Sequence, residues 1–310
     1  MRIIQAAEVD AALDYESLVE RLRQAFRRDI TVPLRHHHSI EGDGETATLL
    51  LMPAWQAGRH IGIKLATVFP GNSAHGLPAV MGAYLLLDGR TGSPLALIDG
   101  PVLTARRTAA ASALASSYLS RPDSERLLMV GTGTLAPHLI AAHAAVRPIH
   151  NVLVWGRTEE TAAKLAKRLD RPDFRVAATT DLEAAARGAH IISCATLSNE
   201  PLIAGDWLQP GQHLDLVGGF RPDMRETDDT AIRRARVFVD TRAGACSEAG
   251  DIVQPIESGV LDPEDIAADL FELTRGERAG RRYYDQITLF KSTGTALEDL
   301  AAAELAVERV

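Results

Sequence analysis

The sequence predicts an α/β fold in which a mixed α+β domain precedes a domain with a doubly wound parallel sheet. Three observations carry that prediction. The stretch Leu127-Leu128-Met129-Val130-Gly131-Thr132-Gly133-Thr134-Leu135-Ala136 reads as a buried strand, a glycine turn and a helix start. From about residue 124 onward, short apolar runs alternate with helical patterns, the signature of βα units. Upstream of that point, strand-like runs follow one another directly, as in an antiparallel sheet.

In chain order, Tyr15 to Arg28 has helical spacing, with Leu18, Val19, Leu22 and Phe26 on one face. Val32-Pro33-Leu34 reads as a short apolar strand, and longer ones follow at 46–52, 60–69 and 80–87. Asp88-Gly89-Arg90-Thr91-Gly92 is a hairpin turn into a strand at 94–98. Residues 107–119 form a helix crowded with alanine, which lets another backbone pack close. Parallel strands are expected at 127–130, 151–155, 191–195, 213–217 and 237–240, with helices at 137–146, 159–168 and 180–187. A last helix at 295–307 returns to the first domain. The expected division is residues 1–118 with 295–310 as a substrate-binding and dimerisation domain, and 119–294 as a dinucleotide-binding, Rossmann-type domain.

Composition narrows the function. The 310 residues carry a net charge of −8, which argues against an extended nucleic-acid surface. No apolar run is long enough to span a bilayer, and the N-terminus, with Glu8, Asp10 and Glu16, lacks a signal-peptide core. Cys194 and Cys246 lack a metal-type spacing and read as buried small hydrophobes, so a cytoplasmic setting is expected.

The glycine turn points to a nicotinamide dinucleotide. Gly131 permits the turn out of the strand, and Gly133 lets backbone approach a pyrophosphate. Thr132, Thr134 and Leu135 complete the turn, and Ala136 keeps the helix close to the sheet. The helix start then presents N–H groups and its positive dipole end to the phosphates. An acid is expected about 20 residues on, at the end of the second strand, where a free ribose 2′-OH is bound. Here that place reads Trp155-Gly156-Arg157-Thr158. Arg157 suits a 2′-phosphate and Thr158 can donate a hydrogen bond, so NADP(H) is expected in preference to NAD(H).

A substrate site is suggested by cations in otherwise apolar surroundings. Lys64 lies in Ile61-Gly62-Ile63-Lys64-Leu65-Ala66, Asn72 follows in the next loop, Arg35 follows Leu34, and Arg107 stands in the alanine helix. Together they suit a small carboxylate. His36, His37 and His38 alternate faces in an extended segment, so they cannot share one metal ion, and no metal is expected. Glu248 and Asp251 read as a solvated loop, Cys194 as packing and Asp299 as a structural acid.

The chain resembles the ornithine cyclodeaminase/mu-crystallin family through four stretches: Lys64 to Asn72, Leu103 to Ala110, Gly131-Thr132-Gly133, and Ile287 to Gly294. The resemblance implies a homodimer built through the first domain's sheet and a nicotinamide cofactor on the second domain. It implies that Arg35, Lys64 and Arg107 hold the substrate α-carboxylate. It also places Ser292, Gly294 and the loop after Ala195-Thr196 near the nicotinamide. Cyclodeaminases of the family keep an essential aspartate where this chain has Phe220, and an apolar ring cannot orient or deprotonate an amine. The form Phe220-Arg221-Pro222-Asp223-Met224-Arg225-Glu226 resembles instead the family's ketimine reductases. The expected reaction is NADPH-dependent reduction of a cyclic imino acid, with Lys64 as proton donor and Phe220 against the substrate ring. The alternatives are an ornithine cyclodeaminase with Asp223 in the aspartate's role, an alanine dehydrogenase-like enzyme, and a non-catalytic NADPH-binding protein.

Overall fold

Period-two strands in the first part of the chain and βα alternation in the second give two units in the computed structural model, which describes residues 1–41 and 46–310. Unit 1 comprises Met1–Arg107 and Thr295–Val310, and unit 2 comprises Thr108–Gly294.

Unit 1 begins with β1 (Arg2–Ile4), α1 (Ala6–Ala12) and α2 (Tyr15–Arg27). It continues through β2 (His36–Ile40), β3 (Ala47–Gln56), β4 (His60–Val68), β5 (Val80–Asp88), β6 (Pro94–Asp99) and the start of α3 (Gly100–Leu119). The sheet order is β1-β6-β5-β4-β3-β2. It is antiparallel except that β1 joins β6 in parallel, so the sheet is mixed rather than purely antiparallel. The apolar stripe of α2, Leu18, Val19, Leu22 and Phe26, is buried as its helical spacing predicts. The C-terminal helix, here α11 (Ala296–Arg309), packs on α2 and on β3, β4 and β5.

Three expectations are corrected in this unit. Val32-Pro33-Leu34 forms no strand, since Pro33 has no N–H to enter a ladder, and only Thr31 bridges to Trp55. The three histidines instead form β2, an exposed edge strand. Helix α3 starts at Gly100, ahead of the expected 107, because the Asp99 carboxylate accepts from the Val102 N–H and Pro101 suits a first turn. The division between units falls inside α3, after Arg107, rather than at the expected 118.

Unit 2 holds a parallel sheet. Its elements are β7 (Arg126–Val130), α4 (Leu135–Val146), β8 (Asn151–Trp155), α5 (Glu159–Leu169), β9 (Arg175–Ala178), α6 (Leu182–Gly188), β10 (Ile191–Cys194) and β11 (His213–Leu216). There follow α7 (Asp229–Arg234), β12 (Arg236–Val239), α8 (Arg242–Glu248), α9 (Gly250–Glu257), β13 (Ala268–Asp269), α10 (Leu270–Arg275) and β14 (Thr288–Lys291). The order β13-β12-β14-β11-β10-β7-β8-β9 is doubly wound. The chain leaves β7 toward β8 and β9, then crosses back to β10 on the other side. The switch point therefore lies between β7 and β10, where such sheets bind ligands beyond the strands' carboxyl ends. Among the described residues no helix is long and apolar enough to cross a membrane.

Candidate active site

Alternation along β4 decides where Lys64 points. Gly62, Lys64 and Ala66 are buried, whereas Leu65 between them is exposed. Lys64 thus faces the core side and meets α11, where Nζ donates to Asp299 Oδ1 at 3.3 Å. Arg107 reaches the same oxygen through Nε at 2.8 Å and Glu298 Oε2 through Nη1 at 2.8 Å. All four side chains are buried. Burial lowers the Lys64 pKa to about 8, with Asp299 opposing and the positive charges of Arg107 and Arg35 reinforcing the fall. Burial acts on Asp299 in the other direction, yet Arg107 and Lys64 hold its carboxyl below the usual range. Burial likewise works against the Arg107 charge, but Asp299 and Glu298 keep it above the ordinary arginine range. Two cations, Lys64 and Arg107, thus share two buried acids, with the Arg35 charge acting on Lys64 as well. Both acids grip the Arg107 fork and fix its plane. Half-buried Asn72 is taken up by its own loop, donating to the Pro78 carbonyl at 2.9 Å.

In unit 2 the turn after β7 has the geometry a dinucleotide needs. Gly131 has φ +117°, and a Cβ there would lie 2.5 Å from the Ala195 carbonyl oxygen, so only glycine fits beside the end of β10. At Gly133 a Cβ would meet nothing within 4 Å, which leaves its backbone open to a ligand. Ala136 is buried and its N–H donates to the Gly133 carbonyl at 3.1 Å. Thr134 makes no side-chain cap to α4, and the first turn of that helix carries no acid. Helix N–H groups and the dipole therefore favour a diphosphate there, and these residues fit a nicotinamide dinucleotide.

Thr132 Oγ1 donates to Thr161 Oγ1, which also pairs with Thr158 Oγ1 at 2.7 Å. Gly156 is half-buried, and Arg157 and Thr158 are exposed at the end of β8. The nearest acids, Glu159 and Glu160, lie in the first turn of α5, and Glu160 pairs with Lys164. Beyond β10, the Thr196 N–H and Oγ1 donate to Glu226 Oε1 at 2.7 and 2.8 Å, next to half-buried Ala195. Beyond β14, the Ser292 N–H donates to the Leu216 carbonyl at 3.0 Å, and the Gly294 N–H donates to Asp240 Oδ2 at 2.6 Å.

A single family model, described as the ornithine cyclodeaminase/mu-crystallin family, matches residues 1–310. The chain belongs to that family. It is 40% identical to the Δ1-pyrroline-2-carboxylate reductase of Paracoccus denitrificans, over 97% of this chain and 95% of the relative. It is 36% identical to the ketimine reductase mu-crystallin of Rattus norvegicus, over 88% of this chain and 82% of the relative. The solved Δ1-pyrroline-2-carboxylate reductase of Thermococcus litoralis, in complex with NADH and L-proline, superposes with a TM-score of 0.93. That match has 33% identity and covers 100% of this chain and 97% of the other.

Within this family member, Phe220 is half-exposed in the segment between β11 and α7. Asp223, the candidate for the cyclodeaminase acid, is exposed and paired with Arg221 at 3.0 Å. That hydrogen bond, opposed by slight desolvation, keeps its carboxyl below the usual range. Cys194 is buried, and burial together with the charges of Glu226 and Asp251 pushes its thiol well above the ordinary range, so it stays protonated. Among the described residues no group of three metal-binding side chains converges. The sequence reading missed Asp299 as the acid that joins Lys64 to Arg107. The available signal was the adjacent pair Glu298-Asp299 inside an alanine- and leucine-rich helix that is otherwise apolar from 296 to 303. It also missed Asp251, which is buried in α9 rather than part of a solvated loop.

Proposed function

We propose that this chain is an NADPH-preferring reductase of cyclic imino acids. Its substrate is Δ1-pyrroline-2-carboxylate or Δ1-piperideine-2-carboxylate, and its product is proline or pipecolate. The buried Lys64–Asp299–Arg107 cluster carries the reading, because it offers both a carboxylate anchor and a lysine poised to give up a proton near neutral pH. Unit 1 serves as the substrate-binding and dimerisation domain, and unit 2 as the dinucleotide-binding domain.

When bound, the reduced nicotinamide supplies a hydride to the imine carbon. Arg107, Arg35 and Lys64 receive the α-carboxylate and fix the C=N bond in place, which removes much of the orientational barrier. Lys64 Nζ gives its proton to the imine nitrogen, directly or through one water, and Asp299 stabilises the ammonium form before transfer. Phe220 presents an apolar surface to the ring and offers no carboxylate to a free amine. The 2′-phosphate of NADPH is met by Arg157 and Thr158. Gly131 to Ala136 and Gly156 hold the diphosphate and ribose, and Ala195, Thr196, Ser292 and Gly294 surround the nicotinamide.

The second face of the unit 1 sheet, where Leu65 and Met81 are exposed, supports a homodimer formed through that sheet. Unpaired Cys194 and Cys246 suit a reducing cytoplasm. The test is direct. Purified protein should oxidise NADPH stoichiometrically on adding Δ1-pyrroline-2-carboxylate. Ammonia release from ornithine without net cofactor turnover would replace this reading with the cyclodeaminase one.

A further inference from the structure

Three strand ends stand side by side in the unit 2 sheet. Cys194 of β10 is in register with Leu216 of β11, which is in register with Lys291 of β14. A fully buried chain of charges lies at these ends. Lys291 Nζ donates to Asp251 Oδ2 at 3.0 Å. Asp251 Oδ1 accepts from the N–H groups of Glu226, at 2.8 Å, and Thr227, at 3.2 Å. Glu226 Oε1 takes both Thr196 donors, and its Oε2 accepts from the Gly218 N–H at 2.8 Å. Lys291, Asp251 and Glu226 each have 0% exposure. The approach at Gly218 leaves no slack, because a Cβ there would lie 2.1 Å from the Thr196 carbonyl oxygen and 2.4 Å from Glu226 Oε1.

Burying three charges is costly unless each finds partners, and this set is satisfied mainly by backbone N–H groups at the strand ends. The network ties the chain after β10 (Thr196) to the chain after β11 (Gly218). It also anchors both ends of segment 218–226, which carries Phe220. None of its three members offers an exposed atom for chemistry.

We infer that Glu226, held by Asp251 and Lys291, is a positioning residue that sets Thr196 and the Phe220-bearing segment relative to the bound nicotinamide. This rests on the proposed reading that those residues surround the cofactor's reactive end. In Glu226→Gln, whichever way the amide turns, an NH₂ group faces a backbone N–H of Thr196 or Gly218, so one tie is lost while the shape is kept.

The test compares NADPH with 2′-phospho-ADP-ribose, a fragment that lacks the nicotinamide. In Glu226→Gln the dissociation constant for NADPH, read by its fluorescence, should rise about tenfold while that for the fragment changes less than about twofold. With an imino acid, kcat should fall about 10- to 100-fold with little change in KM. Equal loss for NADPH and fragment together with a lowered Tm, or no loss for either, overturns the proposal. If Glu226→Gln fails to fold, Thr196→Val removes one tie alone and should show the same split more weakly; an unchanged NADPH-to-fragment ratio there overturns it too. A wild-type protein that binds NADPH but reduces no imine defeats the imino-acid assignment, while the NADPH-to-fragment comparison still decides the role of Glu226.

Discussion

Each unit buries a lysine against an aspartate, and the two pairs differ in what surrounds them. Lys291 and Asp251 belong to a set that closes on itself, one cation and two carboxylates completed by backbone N–H groups. Lys64 and Asp299 belong to a set of side chains alone, Lys64 and Arg107 with Glu298 and Asp299. Backbone partners tie a network to the fold, whereas side-chain partners can be exchanged for those of a ligand. Burial draws the Lys64 pKa down to about 8. The difference marks the Lys64 set as the candidate site and the Lys291 set as a tie between loops.

The comparison breaks most visibly at Arg107. Arg107→Ala removes the guanidinium that both buried acids, Glu298 and Asp299, share. Removing one partner of such a buried set costs about 3–5 kcal/mol. Urea unfolding should show that loss, and imine reduction should vanish. A variant of wild-type stability would mean that the acids are held by other groups.

How much of this was legible beforehand depends on length and burial. Long periodic elements read well: α2 was expected at 15–28 and spans Tyr15–Arg27, and β8 was expected and found at Asn151–Trp155. Three short strands did not register, Arg175–Ala178, Ala268–Asp269 and Thr288–Lys291, whereas the four-residue strands Ile191–Cys194, His213–Leu216 and Arg236–Val239 were expected at 191–195, 213–217 and 237–240. The missed ones lack a clear apolar run, and the buried Lys291 interrupts the last of them. Lys64 and Arg107 stood out because a cation in an apolar run is unusual. Their shared partner Asp299 was hidden, because an acid near a helix start ordinarily reads as dipole compensation. The tie between Thr196 and Glu226 spans thirty residues of chain, which no local pattern encodes.

A smaller effect is expected at the adenosine end. Arg157→Ala should weaken NADPH by about 10- to 100-fold, the worth of one charge-assisted contact, and leave NADH nearly unchanged. Equal losses in a titration with both cofactors would remove the basis for NADP preference and turn attention to Glu159 as a ribose ligand. The smallest effect belongs to Asp223. Its pair with Arg221 is exposed, and exposed pairs contribute little. Asp223→Asn should leave kcat and KM for the imino acid within about twofold, in keeping with that weak pairing. A collapse of activity would instead make it the missing family acid.

The most direct test of the central claim is the pH dependence of kcat for imine reduction, measured for wild type and for Lys64→Met. Lys64 must carry its proton to donate it, so the wild-type rate should hold below a pH of about 8 and fall as pH rises through that value. Lys64→Met should be slower by at least about 100-fold and lack that alkaline limb. A Lys64→Met enzyme that keeps the wild-type kcat and the same limb, with only a higher KM, would reduce Lys64 to a carboxylate anchor and contradict the account.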